Sequence, residues 1–349
     1  MILPQTHAAV LFLMTLSLLC WGSWANSYKL AGKWRYELYY FDFAAGVVVA
    51  AFLYAFTVGN LGYDGFSFMD DVMHSGKRQW LYGLMGGVIF NLGNMILMSA
   101  ISVAGMAVAF PMGIGVATIV GTILAYAGSS TGNPALMFLG CALIAGAVAA
   151  AALAYRFHAV LRHEELARAG KAASTRRPSS IKGIVLALVG GLLLGSFLPL
   201  VDKAREGELG LGPYAVAAVF AVGVFFSTFV FNVFLMNLPV EGEPLEVLDI
   251  FKSTPKQHLL GLAGGVVWCT GLVTSLAAAS APAEAQVGTV EGCFLARGFP
   301  LIAALWGIIL WREFKGSDVR VKTLVVFMFL LFACGLLVIS QASLPVRAA

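Results

Sequence analysis

Apolar residues occur along the chain in ten long runs, each bounded by short polar stretches. A bilayer core of roughly 30 Å requires about 20 apolar residues in a helix, and every run is long enough to supply them. The links that follow the third and eighth runs are short, which indicates tight helical hairpins. The pattern therefore predicts ten transmembrane helices, near 8–28, 38–59, 80–101, 104–126, 135–155, 183–201, 213–238, 258–280, 285–311 and 323–342.

The composition leads to the same class of protein. Of the 349 residues, 60% are hydrophobic and only 11% are charged, which is too little polar surface to cover a soluble globule. The first run has no Lys or Arg ahead of it and no small-residue cleavage signal after it, so we expect it to be retained. The five cysteines lie in apolar runs without Cys-x-x-Cys spacing, which argues against disulfides and a structural zinc site. The expected fold is an all-α integral membrane protein.

Lys and Arg are concentrated in one set of alternate loops, and most of all in the segment 156–182. The positive-inside rule places this loop in the cytoplasm of a cell-membrane protein, with both termini outside. A basic loop beside a membrane is typically a topology signal near anionic lipid headgroups, so we predict no nucleic-acid partner and no metal site there. The stretch "RAGKAAS" lacks the glycine and hydroxyl positions of a phosphate-binding loop, so no ATP-hydrolysing site is predicted.

Two short glycine-rich stretches recur at corresponding places in the two halves of the chain. "GLMGGV" at 83–88 in the third run returns as "GLAGGV" at 261–266 in the eighth, and "GSW" at 22–24 has a counterpart in "GSF" at 195–197. Chance, or a shared need for close helix packing, is the alternative explanation of such matches. Their register favours an internal repeat.

The repeat sets the expected domain organisation. Residues 1–155 would form one five-helix repeat and residues 183–349 a second, joined by the basic 156–182 loop. Because five is odd, the second repeat must enter the membrane upside down relative to the first, as in many secondary transporters. The substrate site is then expected near the middle of the membrane.

Two charges, Glu291 and Arg297, lie within the ninth apolar run. A charged group at bilayer depth costs about 2.5–3.5 kcal/mol, so both are expected to face the protein interior or water. Six residues of helix give roughly 600° of rotation, so the two side chains do not form a pair on one face. We hypothesise that Glu291 accepts the coupling proton and that Arg297 orders the site, the alternative being a structural ion pair with other groups.

Uncharged polar groups within the runs are candidates for solute binding. Asn91 and Asn94 supply amides suited to hydroxyls, ureas or nucleobase edges, and Trp268 offers an aromatic face at the place that matches Phe90. Interhelical asparagine bonds can equally serve packing alone, at about 0.6 kcal/mol each. Trp24 and Asn26 could line an outer vestibule, although interfacial tryptophans also form aromatic belts.

Asp42 opens the second run and is a second candidate for proton coupling, unless it simply lies at the interface. Pro111, in "FPMGIG", is a candidate hinge in the fourth run. Gly298 and Pro300 are candidate hinges in the ninth, since proline removes a backbone donor and a weakened helix can open toward a cavity.

Taken together, these residues resemble the L-rhamnose–proton symporters of the drug/metabolite transporter superfamily, from about residue 10 to 340. The stretches that carry the resemblance are "KWRYE" at 33–37, "TIV" and "GTIL" at 118–124, "KGIVLALVGG" at 182–191, "GGVVW" at 264–268 and "GIILWREF" at 307–314. Glucose-ribose porters belong to the same branch. In the symporter pattern the positions of Glu291 and Arg297 are not charged, so their proposed role rests on local physics alone.

The chain also looks similar to plant ureide permeases, at "GGVIFNLGN" (86–94) and "LWGIILWREF" (305–314). Both resemblances imply proton-coupled uptake of a small, neutral, polar solute. The five histidines show no clustering with Asp or Glu of the kind that a membrane enzyme would need, so we expect no enzymatic activity and no cofactor. The first expectation is a sugar of the L-rhamnose type, and the alternative is a ureide or nucleobase. A membrane enzyme or a receptor is the alternative of a different class. Coupling to sodium, export and the oligomeric state stay open.

Overall fold

The structure, a computed structural model, describes residues 1–129, 132–168 and 180–342. Every regular element in this part of the chain is helical. The helices are α1 (His7–Ser23), α2 (Asn26–Leu30), α3 (Tyr36–Phe56), α4 (Phe68–His74), α5 (Lys77–Ala104), α6 (Met106–Ser129), α7 (Pro134–Arg168), α8 (Ser180–Arg205), α9 (Pro213–Asn237), α10 (Pro255–Ala279), α11 (Thr289–Arg297), α12 (Phe299–Leu305) and α13 (Val319–Ala342).

The apolar runs form the predicted spans. Nine helical segments in the described ranges are long and apolar enough to cross a membrane. The ninth run differs, because it consists of α11 and a helical segment that starts at Phe299, bent by 46° at Gly298. Counting this broken pair as one span gives ten. The prediction of an all-α, multi-span integral membrane protein is confirmed.

The main difference from the predicted boundaries is the length of α7, which continues to Arg168 instead of ending near residue 155. Residues 156–168 contain many helix-favouring Arg, Glu, Leu and Ala residues and no Gly or Pro. His158 lies in this extension and is buried, with Nδ1 2.9 Å from Ser317 Oγ. The first part of the expected basic loop is therefore helix, and its remainder at 169–179 lies outside the described residues.

The expected hairpin between the third and fourth spans has a one-residue link. Gly105 joins α5 to α6 with a φ of 84°, a conformation that residues with a side chain rarely adopt. Glu313 caps the start of α6, because its carboxylate accepts hydrogen bonds from the backbone N–H groups of Met106 (3.0 Å) and Ala107 (2.7 Å). A negative charge at a helix N-terminus is favourable, so Glu313 fixes this end of α6.

The chain forms two compact units. Unit 1 comprises Met1–Met95 and Ser196–Phe299, and unit 2 comprises Ile96–Gly195 and Pro300–Ala349. Each unit takes segments from both halves of the sequence. This division is distinct from the predicted repeats, which remain a prediction about how the two halves are related.

Within unit 1, the two copies of the repeated glycine motif make the same kind of contact. A Cβ atom at Gly265 in α10 would fall on the carbonyl oxygen of Phe43 in α3, and one at Gly46 would fall on that of Leu262. Backbone therefore lies directly against backbone where α3 crosses α10. Glycine alone permits this approach, as is common between helices in membranes.

The second crossing in unit 1 joins α5 to α9. A Cβ at Gly87 in α5 would fall on the carbonyl oxygen of Phe220 in α9, and one at Gly223 would fall on that of Leu84. The helices that receive the glycine motifs also match in sequence, since "FAAGV" at 43–47 returns as "FAVGV" at 220–224. The two crossings are thus equivalent residue by residue, a match that the sequence analysis missed.

Unit 2 has a reciprocal crossing of its own, between α7 and α13. A Cβ at Gly140 would lie 2.6 Å from Ile339 Cγ1, and a Cβ at Gly335 would lie 2.6 Å from Ile144 Cγ1. Each helix thus presents one glycine to an isoleucine of the other, in opposite chain directions.

The α3–α10 crossing gives a prediction for stability. Gly265→Ala should destabilise the protein by about 1–3 kcal/mol, because the added methyl group meets a backbone carbonyl that cannot move aside. Thermal unfolding of the purified protein in detergent measures the effect. Gly128→Ala is the matched control, since no atom of the described residues lies within 4 Å of a Cβ at that helical position. Equal midpoints for the two variants would contradict the proposed packing.

Candidate functional site

Unit 1 contains a buried network of amides and hydroxyls contributed by α3, α5 and α9. Asn94 Nδ2 donates to Tyr40 Oη at 3.1 Å, and Tyr40 Oη donates to the backbone carbonyl of Asn91 at 3.4 Å. Tyr40 and Asn91 are fully buried and Asn94 is 2% exposed. The structure thus brings the two predicted asparagines together, with Tyr40 between them.

Asn91 is fully engaged by its protein neighbours. Its Nδ2 donates to Ser227 Oγ at 2.8 Å and to Thr228 Oγ1 at 3.1 Å, and the Thr228 hydroxyl is also 3.3 Å from Asn91 Oδ1. Both amide hydrogens are therefore used in joining α5 to α9. This geometry favours the packing role for Asn91 over direct solute binding.

Asn94 and Asn232 retain hydrogen-bonding capacity. Asn94 uses one amide hydrogen on Tyr40. Asn232, fully buried in α9, donates from Nδ2 to the Glu37 carbonyl at 2.6 Å, but among the described residues no donor reaches its Oδ1. A buried amide oxygen without a donor is costly, so a ligand that brings an N–H or O–H group would relieve that cost.

Trp268 lies in an aromatic cluster instead of forming an open wall. Its ring centroid is 4.1 Å from that of Phe90 and 5.8 Å from that of Phe220, and only 5% of the residue is exposed. Its backbone carbonyl accepts a hydrogen bond from Trp21 Nε1 at 3.2 Å. Neighbouring aromatic rings pack around Trp268 in this conformation, and its expected role in solute binding stays a prediction.

Trp24 and Asn26 take part in packing at the end of the first span, and their expected place in an outer vestibule stays a prediction. Trp24 is 3% exposed and its ring lies 5.0 Å from that of Phe43. Asn26 is half-buried and Nδ2 donates to the Ser23 carbonyl at 2.9 Å. Both positions belong to the packing at the end of the first span.

Glu291 is exposed, so of the two expected surroundings, the protein interior or water, it does not occupy the interior. It lies in the first turn of α11, where its Oε2 accepts a hydrogen bond from the backbone N–H of Gly288 at 3.1 Å. A carboxylate in this position stabilises the start of a helix. The structure therefore favours a capping role over a proton-accepting role.

Arg297 ends α11 and is half-buried. Both Arg297 and Arg205 interact electrostatically with the Asp202 carboxylate. Arg205 also donates to Ser280 Oγ at 2.8 Å. These charges compensate one another, which agrees with the structural alternative for Arg297.

Two of the three candidate hinges coincide with the bend in the ninth span. Gly298 separates α11 from the segment that starts at Phe299, and Pro300 follows in the first turn after the bend. Pro111 lies inside α6, which is continuous from Met106 to Ser129. Movement at any of the three stays a prediction.

Asp42 forms a contact that the sequence did not predict. Its Oδ2 lies 2.6 Å from His258 Nδ1, and the side chains are 16% and 32% exposed, respectively. Asp42 belongs to α3 and His258 to the first turn of α10, so the pair joins two spans. No group of three His, Cys, Asp or Glu side chains in the described ranges is arranged to hold a metal.

A buried ion pair marks the start of α3. Glu37 is fully buried, and its carboxylate accepts hydrogen bonds from Arg35 Nε at 3.1 Å and Nη2 at 2.6 Å. The bond to this carboxylate raises the pKa of the Arg35 guanidinium above its ordinary value. Arg35 also donates to the Glu243 carbonyl at 3.0 Å, which ties α3 to the loop before α10.

Comparison with known proteins finds sequence similarity to ureide permeases. A family model described as ureide permease matches residues 39–182. The chain is similar to the Arabidopsis thaliana proteins Ureide permease 4, Ureide permease 1 and Ureide permease 2, with 23%, 21% and 22% identity. Each alignment covers 98% of this chain and 99% of the relative. These similarities support the ureide permease resemblance, and not the L-rhamnose branch that the sequence analysis put first.

A chain of known crystal structure shares the arrangement of helices. It superposes with a TM-score of 0.50 at 14% identity, covering 97% of this chain and 98% of that chain. At this identity the likeness shows the fold alone.

The bonding of Asn91 gives a prediction about its role. Asn91→Ala should lower the free energy of unfolding by about 1 kcal/mol, because interhelical side-chain bonds in membrane proteins contribute roughly 0.6 kcal/mol on average and up to about 1.7. Unfolding in detergent measures the loss. Asn237→Ala is the control, since Asn237 is exposed and its Nδ2 donates within its own helix to the Val233 carbonyl. A stability of Asn91→Ala equal to that of the control would rule out the packing role.

Proposed function

We propose that the protein is a secondary active transporter of small, neutral, polar solutes of the ureide or nucleobase kind. The observation that carries this proposal is the similarity to proteins named ureide permeases over 98% of this chain and 99% of theirs. Sequence similarity over nearly the whole of both chains supports a shared type of activity, and the all-helical, multi-span fold suits transport.

The chemistry of the buried network supports a neutral solute. No donor among the described residues reaches Asn232 Oδ1, and Asn94 has an amide hydrogen beyond the one on Tyr40. Ureides and nucleobases present N–H and C=O groups side by side, which complement an amide oxygen and an amide N–H. We assign Asn94 and Asn232 to solute binding, and Asn91 to packing.

Alternating access is proposed to use two inverted five-helix repeats. The equivalent crossings of α3 with α10 and of α5 with α9 support this relation, as does the reciprocal crossing of α7 with α13. Inverted repeats allow one arrangement to open alternately to either side of the membrane. The bend at Gly298 is the proposed place of flexing in the ninth span.

The proposed direction is uptake across the cell membrane, driven by a proton gradient. The uneven distribution of Lys and Arg supports an orientation with the 156–182 loop in the cytoplasm.

The proposal predicts solute uptake by the purified protein in liposomes. An inward proton gradient should drive accumulation of labelled allantoin or uracil at least tenfold above protein-free liposomes, and L-rhamnose and glucose should stay at the background level. Accumulation of L-rhamnose without either nitrogenous solute would instead establish the sugar branch. Movement of none of the four would contradict the proposed function.

The assignment of Asn94 predicts a change in apparent affinity. Asn94→Ala should raise the KM for the transported solute about tenfold, since losing about 1.4 kcal/mol of binding free energy weakens affinity by that factor. Asn91→Ala should keep the KM within about twofold. The opposite order of the two effects would reverse the roles given to these asparagines.

A further inference from the structure

We propose that Asp42 and His258 together form the site that binds the coupling proton. This inference rests on the proposed transport function and names residues for its energy source. Asp42 Oδ2 and His258 Nδ1 lie 2.6 Å apart, close enough to share a proton directly. One group belongs to α3 and the other to α10, so protonation acts on the contact between two spans.

The surroundings hold the pair in this geometry. The His258 ring meets the edge of Trp34, with centroids 5.8 Å apart and planes at 79°. Trp34 is fixed in turn, because its Nε1 donates to Ser253 Oγ at 2.8 Å. Asp42 also packs against the α10 backbone, since a Cβ at Gly261 would lie only 2.5 Å from the Asp42 Cβ. The pair is therefore positioned by packing and does not depend on chance contact between flexible surface groups.

The α5–α9 crossing, which is the counterpart of the α3–α10 crossing, shows that helix packing does not require the Asp42–His258 pair. Gly261 is the first residue of the glycine motif at 261–266, and Gly83 is the first residue of the matching motif at 83–88. A Cβ at Gly83 would lie 2.9 Å from Val219 Cγ1, so valine occupies in α9 the place that Asp42 occupies in α3. Trp80 holds the place of His258, three residues before the glycine. The chain thus builds the same crossing once without charges and once with them.

The protonation cycle of the pair balances without any other reactant. With neutral imidazole and ionised carboxylate, Nδ1–H donates to Oδ2 and the pair carries one negative charge. A hydronium ion then transfers its proton to His258 Nε2: an O–H bond of the hydronium breaks, an N–H bond forms, water is released, and the imidazolium–carboxylate pair has zero net charge. The same N–H bond breaks when the proton is released. The partial exposure of His258 gives water access to the ring.

The change in the net charge of the Asp42–His258 pair lets protonation control the relative movement of α3 and α10. A net charge held in a poorly solvated position is costly, whereas a neutral, hydrogen-bonded pair costs much less. Among the described residues, the other titratable group that faces Asp42 is Tyr39 on the same helix, whose hydroxyl lies 2.7 Å from Ser27 Oγ. The proton load of the pair therefore sets the charge at the α3–α10 contact.

The test compares gradient-driven accumulation with counterflow exchange in proteoliposomes, using labelled allantoin and uracil. Asp42→Asn and His258→Gln should each lose at least tenfold of the accumulation driven by the proton gradient, while counterflow stays within about threefold of wild type. Asp42→Val, which reproduces the uncharged crossing, should behave in the same way. Glu291→Gln is the matched control and should accumulate solute like wild type, since Glu291 caps α11.

The outcomes separate this inference from the proposed function. Normal gradient-driven accumulation by Asp42→Asn or His258→Gln would overturn the proton site and leave transport intact. If the wild type exchanges solute but its accumulation does not respond to the proton gradient, the proton site is also overturned and transport is left intact. Loss of counterflow in all three variants of the pair would make it structural and also overturn the proposal. If the wild type moves neither solute, the proposed function itself fails, and this inference fails with it.

Discussion

Direct backbone contact between helices at glycine is the constraint on which the arrangement of unit 1 depends. In a bilayer, apolar helix surfaces gain little by leaving lipid for each other, so close approach and interhelical hydrogen bonds must hold the spans together. Gly46 and Gly265 bring α3 against α10, and Gly87 and Gly223 bring α5 against α9. Because these crossings fix the helices within a few ångströms, the polar side chains beside them meet in defined pairs.

The polar pairs differ in what they leave unsatisfied, and this difference separates their roles. The amide of Asn91 is saturated by α9, whereas the oxygen of the nearby Asn232 has no donor among the described residues. Arg35 and Glu37 compensate each other at the start of α3. These bonding patterns support the proposed transport of a solute that exchanges hydrogen bonds and carries no charge.

Hydrophobicity alone predicted the fold because bilayer thickness sets the length of each apolar run. It could not predict which way a side chain faces or how deep it lies. Glu291 illustrates the limit, since a position inside the predicted apolar run lies in the exposed first turn of α11, which begins only at Thr289. His258 was missed because a histidine at the start of a helix is not by itself a functional signal. It becomes a candidate only through its contact with Asp42, which lies on α3.

The repeat was only partly visible in the sequence. The glycine motifs matched by themselves, but "FAAGV" and "FAVGV" gained significance only when each was found against a glycine motif in the same register. The same register aligns Asp42 in the α3–α10 crossing with Val219 in the α5–α9 crossing. The uncharged crossing therefore serves as a reference for the charged one. Contacts of this kind depend on helix pairing, which a pattern of apolar residues does not encode.

The central claim is that the protein recognises a ureide or nucleobase, and direct binding tests it without the need for transport. Labelled allantoin should bind the purified protein in detergent, and unlabelled allantoin or uracil should displace it while L-rhamnose at the same concentration does not. Displacement by L-rhamnose, or binding of labelled L-rhamnose with none of allantoin or uracil, would contradict the account.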